Sequence, residues 1–218
     1  MSRIRIPRIP SLDNGVNLVK TGEGTNNAFQ ALAVNHLIRF GEEAHWIDVG
    51  NNCSTHLLSR ISPTPKILEK IQVARAFTPY QHYSLIEKIK EAATPETNLI
   101  VLPLIDHLYR KDVRNRKWRG EFMEDVVKNI EKVTDDLEVP ALITCEKSLA
   151  EQFENPTEIL CSSTGHGLKF ETDGFKTLTY RGPGYIQTTL KLWELILKEE
   201  FRSIQRQKVV KERVVRAG

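Results

Sequence analysis

The chain is expected to adopt an α/β fold built on a mostly parallel central sheet flanked by helices. Short, nearly continuous apolar runs such as Asn98-Leu99-Ile100-Val101-Leu102 have the pattern of strands covered on both faces. Other stretches carry apolar residues at three- and four-residue spacing, as helices packed along one stripe do. The two kinds of segment alternate along most of the chain, and strands that alternate with helices join through crossovers into parallel sheets. A length of 218 residues suffices for one domain, residues 1–218, with a full core.

Residues 1–12 form a basic arm in which Arg3, Arg5 and Arg8 are interrupted by Pro7 and Pro10. The stretch Val19-Lys20-Thr21-Gly22-Glu23-Gly24-Thr25-Asn26-Asn27-Ala28 runs from an apolar start through a glycine-bearing loop into a helix. Phe29, Leu32, Ala33, Leu37 and Phe40 mark that helix's stripe, with Gly41 as its stop. Ala44–Val49 reads as a buried strand, so the loop falls at the carboxyl edge of the sheet, where α/β proteins bind ligands. Gly22 and Gly24 can bend the backbone toward a phosphate, but neither Thr25 nor Asn26 supplies the cation that a phosphate loop brings to a triphosphate.

Ile71–Ala76 reads as a strand, and Tyr83–Ala92 as a helix with Leu85, Ile86 and Ile89 on one side. The apolar run at 98–102 is a central strand, and Glu121–Leu137 is a helix whose stripe is Phe122, Val126, Ile130 and Val133. After Pro140 comes the strand Ala141–Thr144. Residues 167–171 and 176–180 flank Thr172-Asp173-Gly174-Phe175 as a C-terminal antiparallel hairpin. From Thr188 a C-terminal helix carries Leu190, Trp193, Leu197, Phe201 and Ile204. Its far end, residues 198–218, is a basic helix or tail with seven basic residues against three acidic ones. That tail suits nucleic acid, a docking partner or plain solvation.

The remaining composition narrows the function. Net charge is +3, and no apolar run reaches membrane-spanning length. The basic arm has no signal-peptide core, so a cytoplasmic location and no membrane partner are expected. Cys53, Cys145 and Cys161 form no disulfide framework, and Cys53 with His56 lacks the second pair that a zinc site needs. His107 and His166 have no nucleophile or carboxylate patterned beside them, so neither is assigned an acid–base role. One cluster has a positive reading. Residues 110–120 hold Arg110, Lys111, Arg114, Arg116, Lys117 and Arg119 against the single acid Asp112, with Trp118 among them. Such cations neutralise phosphates, and an exposed indole stacks on an unpaired base; alternatively the loop is merely solvated and Trp118 caps the core.

Four segments in this order resemble the ATPase core of the RecA/RadA recombinase superfamily. They are Trp46-Ile47-Asp48-Val49-Gly50-Asn51-Asn52, Val73-Ala74-Arg75-Ala76-Phe77, Leu99-Ile100-Val101 with Leu108-Tyr109-Arg110-Lys111-Asp112 and Arg119-Gly120-Glu121-Phe122, and Leu142-Ile143-Thr144-Cys145-Glu146. The similarity covers most of residues 9–182 and is closest in size to short archaeal-type paralogues of that superfamily. It implies a RecA-like core, with residues 110–119 at the family's first DNA loop.

The same resemblance places the family's phosphate-loop lysine on Thr25 and its magnesium-binding hydroxyl on Asn26. The water-activating glutamate falls on Gly50, the Walker B aspartate on Leu102 or Pro103, and the phosphate-sensing glutamine on Glu146. Together these substitutions remove what phosphoryl transfer requires, and a relocated lysine such as Lys20 would still leave the magnesium ligands missing. The chain is therefore expected to be no enzyme, to hold no cofactor or metal, and to have a collapsed turn at 22–27. The family's second DNA loop falls on 147–158, where Glu151, Glu154 and Glu158 face one lysine, which counts against DNA contact there. The resemblance thus implies a non-catalytic paralogue that binds single- or double-stranded DNA weakly, as an accessory in homologous recombination or DNA repair. The alternative is a protein-interaction scaffold that docks on an active recombinase or other repair protein without touching DNA.

Overall fold

The computed structural model describes residues 10–22, 28–40, 43–61, 65–164, 167–173, 175–182 and 185–187. Among them the strands are β1 (Gly15–Thr21), β2 (Glu43–Val49), β3 (Ile71–Ala76), β4 (Thr97–Leu102), β5 (Pro140–Ile143), β6 (Thr157–Thr164), β7 (Gly167–Thr172), β8 (Phe175–Gly182) and β9 (Tyr185–Gln187). The helices are α1 (Ala28–Phe40), α2 (Thr55–Ile61), α3 (Pro79–Ala92), α4 (His107–Asp112), α5 (Arg116–Leu137) and α6 (Lys147–Ala150). The strands form one sheet in the order 3-2-4-5-1-6-7-8-9. The first six in that order are parallel, and β6 to β9 pair antiparallel. The fold is α/β with helices on both faces of a mostly parallel sheet, consistent with a RecA-like core.

The apolar runs are continuous because successive residues feed opposite faces. Leu18, Ile47, Ile100 and Ile143 pack with Ile86, Tyr109, Val126 and Ile130 beneath α3, α4 and α5. Their chain neighbours Val19, Trp46, Val101 and Leu142 pack with Phe29, Leu32 and Leu58 beneath α1 and α2. Phe29 meets Trp46 nearly edge-on, with ring centroids 5.8 Å apart at 87°. Each such buried aliphatic side chain contributes about 1.5–3 kcal/mol of transfer free energy.

Helix starts are set by their caps. Thr78 accepts a hydrogen bond from the Gln81 amide and Pro79 takes the first helical position, so α3 begins four residues before the apolar stripe shows it. Asn115 likewise accepts from the Lys117 and Trp118 amides at 3.0 and 3.2 Å, so α5 begins at Arg116 rather than at Glu121. The basic run at 110–120 is consequently not a loop. It is the end of α4, a short turn at 113–115 and the first turn of α5.

Two more expectations need correction, and a third is borne out within a larger element. Phe40 is not part of the buried stripe: it is 52% exposed, with its ring against His36. The expected loop at 147–158 contains α6 and the start of β6. The hairpin is present, with Thr172 paired to Phe175, but it belongs to a longer antiparallel run through β9. The arm at 1–9, the loop at 23–27, the C-terminal helix and the basic tail lie outside the described residues. Among the described residues, no helix is long and apolar enough to cross a membrane.

Candidate functional site

The carboxyl ends of β1, β2, β4 and β5 lie together at one edge of the sheet, because these strands are parallel neighbours. Lys20, next to the end of β1, pairs with Glu158 of β6, so its ammonium is already neutralised. At the end of β2, Gly50 and Asn51 both have left-handed backbones, with φ of 70° and 59°. A Cβ on Gly50 would come within 3.3 Å of the Asn52 amide group, so the turn as folded is strained for a glutamate there. Asp48 holds this turn closed: its Oδ1 accepts from the Asn52 and Cys53 amides at 2.7 and 3.0 Å. Its other oxygen meets Arg75 of β3 at 3.2 Å, directly across the ladder.

At the end of β4, Leu102 is fully buried and Pro103 is buried. Neither can ligate a metal. Leu104, with φ of 49°, donates its amide to the Thr144 hydroxyl at 2.8 Å, and Thr144 donates its own amide to the Leu102 carbonyl at 3.2 Å. The ends of β4 and β5 are thus bonded to each other. Beyond them Asp106, 5% exposed, takes Arg110 on one oxygen at 2.7 Å and the Glu146 amide on the other at 3.3 Å. The Arg110 guanidinium also pairs with the Glu146 carboxylate, so the position matched to the phosphate-sensing glutamine is bound up in an ion pair. The donors at these described positions do not fit a magnesium–nucleotide triphosphate. Thr25 and Asn26 lie outside the described residues, as does Gly24; Gly22 donates its amide to the Cys161 carbonyl at 3.0 Å.

The basic residues separate into two groups. Arg110 is half-exposed and committed to Asp106 and Glu146, which makes it a structural bridge first. Lys117 stands 3.8 Å from Glu121, a loose exposed pair that leaves it available. Lys111, Arg114 and Arg116 are exposed, and Arg119 is half-buried. Arg116 and Arg119 line a cleft of about 270 Å³ together with Asp106, Arg110, Glu146 and Gln152. Trp118 is 65% exposed, so it does not cap the core.

The other reactive groups are quiet. Burial raises the Cys53 thiol to about 11, and the Cys145 and Cys161 thiols to about 12 each, so none is a ready nucleophile at neutral pH. Cys53 is buried and His56 exposed, and no group of three ligands for a metal occurs among the described residues. The Asp48–Arg75 pair and the Asp106–Arg110–Glu146 bridge escape a reading of the sequence by motif. The signal for Asp48 is a single acid inside an apolar strand, which requires a partner when buried.

No family model and no curated protein matches this chain.

Proposed function

We propose that the protein is a non-catalytic, RecA-like accessory factor in homologous recombination or DNA repair, which binds DNA weakly at the junction of α4 and α5. The supporting observation is the contrast between two surfaces. At the sheet edge where a nucleotide would be handled, Asp48 Oδ1 and the Thr144 hydroxyl are taken up by backbone amides, and the carboxylates of Asp48, Asp106 and Glu146 are paired with Arg75 and Arg110. A few residues away, Arg114, Arg116, Lys117 and Arg119 flank the exposed Trp118 in the chain at a capped helix start. Cations on a rigid element bind phosphates without first paying for their own ordering, and the sequence-independent part of such binding is salt-dependent.

A gel shift at low and moderate salt tests this. The double variant Arg116→Ala with Arg119→Ala is expected to weaken binding to any DNA roughly tenfold or more and to reduce the salt slope by about two. An unchanged shift in that variant would remove the α4–α5 junction from the interface.

A further inference from the structure

Two aromatic side chains stand open to solvent at the starts of neighbouring helices. Tyr80, on the first turn of α3, is 72% exposed, and Trp118, on the first turn of α5, is 65% exposed. Phe122 lies one helical turn beyond Trp118 on the same side of α5, and its ring centroid is 5.6 Å from that of Tyr80. The sequence separates Tyr80 from Trp118 by 38 positions, and the Tyr80–Phe122 contact brings Tyr80 to the residue one helical turn from Trp118.

The strip is anchored from below. Phe122 also contacts Tyr83 at 5.3 Å and the buried Tyr109 at 5.1 Å. The Tyr109 hydroxyl donates to the Pro79 carbonyl at 3.2 Å, which pins the start of α3 to α4 beside Tyr80. Phe122 and the start of α3 beneath Tyr80 are therefore held in place before a ligand arrives, which lowers the ordering cost of stacking there.

Charge decides what such a strip accepts. The first turn of α5 carries Arg116, Lys117 and Arg119 with no acid, and Arg114 stands in the turn before it. Exposed rings beside cations that, among the described residues, carry no more than the loose Lys117–Glu121 pair match a chain with flat apolar faces and a negatively charged backbone. A duplex keeps its base faces covered, whereas a single strand offers them.

We infer that Tyr80, Phe122 and Trp118 form one stacking surface for the unpaired bases of a single-stranded nucleic acid, with the α5 cations holding its phosphates. This rests on the proposed DNA association and adds to it a strand preference and a contact from α3. Anisotropy titrations of the full chain with a labelled oligothymidylate and with a duplex of equal length test it. Tyr80→Ala and Trp118→Ala are each expected to weaken single-strand binding about fivefold or more with the salt slope retained, and Tyr80→Ala is expected to leave the duplex affinity unchanged. Tyr80→Phe, which keeps the ring, should bind like the unaltered chain. Both positions are exposed, so circular dichroism should show the fold retained in every variant. If Tyr80→Ala stays within about twofold of the unaltered chain while the arginine double variant still loses affinity, the stacking surface is wrong and the DNA association stands. If the unaltered chain binds neither nucleic acid, both fall.

Discussion

His82 is fully buried, and its Nδ1 lies 3.0 Å from the Tyr109 hydroxyl. That hydroxyl gives its proton to the Pro79 carbonyl, so the ring donates through Nδ1–H and leaves Nε2 as a buried lone pair with no partner among the described residues. A proton on Nε2 would be an unpartnered buried donor, and burial accordingly pushes the ring down to about 4. In the unfolded chain the ring titrates near its ordinary 6.5, so the unfolded state takes up the proton first as pH falls. Stability is therefore lost between pH 6.5 and 4, by about 3 kcal/mol once the lower value is passed. Urea denaturation across that range should show the decline, and His82→Phe should flatten it; an equally steep decline in that variant would place the effect elsewhere. Arg110 makes a second prediction at this scale. Its removal leaves the Asp106 carboxylate buried without its ion pair, so Arg110→Ala should cost about 1–2 kcal/mol, less than a fully buried pair because the guanidinium is half-exposed. Arg116 has no such bridge among the described residues, and its replacement should leave the denaturation midpoint unchanged.

Among the elements, α5 separates what the sequence makes plain from what it hides. Its middle is readable because Met123, Val126, Val127, Ile130 and Val133 are buried at helical spacing. Its first turn is not, because Arg116 to Gly120 contribute no residue to the core, and a stripe-based reading starts only where burial starts. The remaining signal is Asn115, a strong cap residue preceding a run of charges. Asn115→Ala should cost about 1 kcal/mol in thermal or chemical denaturation, and an unchanged midpoint would show that water replaces the cap without loss. The short α4 and α6 have too few turns to display a period, and β6 alternates buried Ile159 and Cys161 with exposed Glu158, Leu160 and Ser162 in a half-buried pattern easily taken for loop. The central strands are legible for the opposite reason: burial on both faces makes most of their residues apolar, with Asn17, His45 and Asp48 as buried exceptions.

For the molecule as a whole, alternation of strands and helices is enough to anticipate the parallel sheet and its two covered faces. The lack of a phosphate-loop lysine and of acids at Gly50 and Leu102 is equally visible. Its structural consequence is not, because it depends on contacts between distant segments. Thr144 meets Leu104 across 40 positions, and Asp48 meets Arg75 only through the register of β2 with β3. Those contacts tie the ends of β2, β4 and β5 to neighbouring segments, and the proposed function accordingly predicts DNA binding at α4–α5 that is independent of nucleotide. The most direct measurement is the affinity of the unaltered chain for a labelled oligonucleotide with and without magnesium and ATP at fixed ionic strength. Salt-sensitive binding that is the same in both conditions is the predicted result; tightening of about tenfold or more with ATP would contradict it.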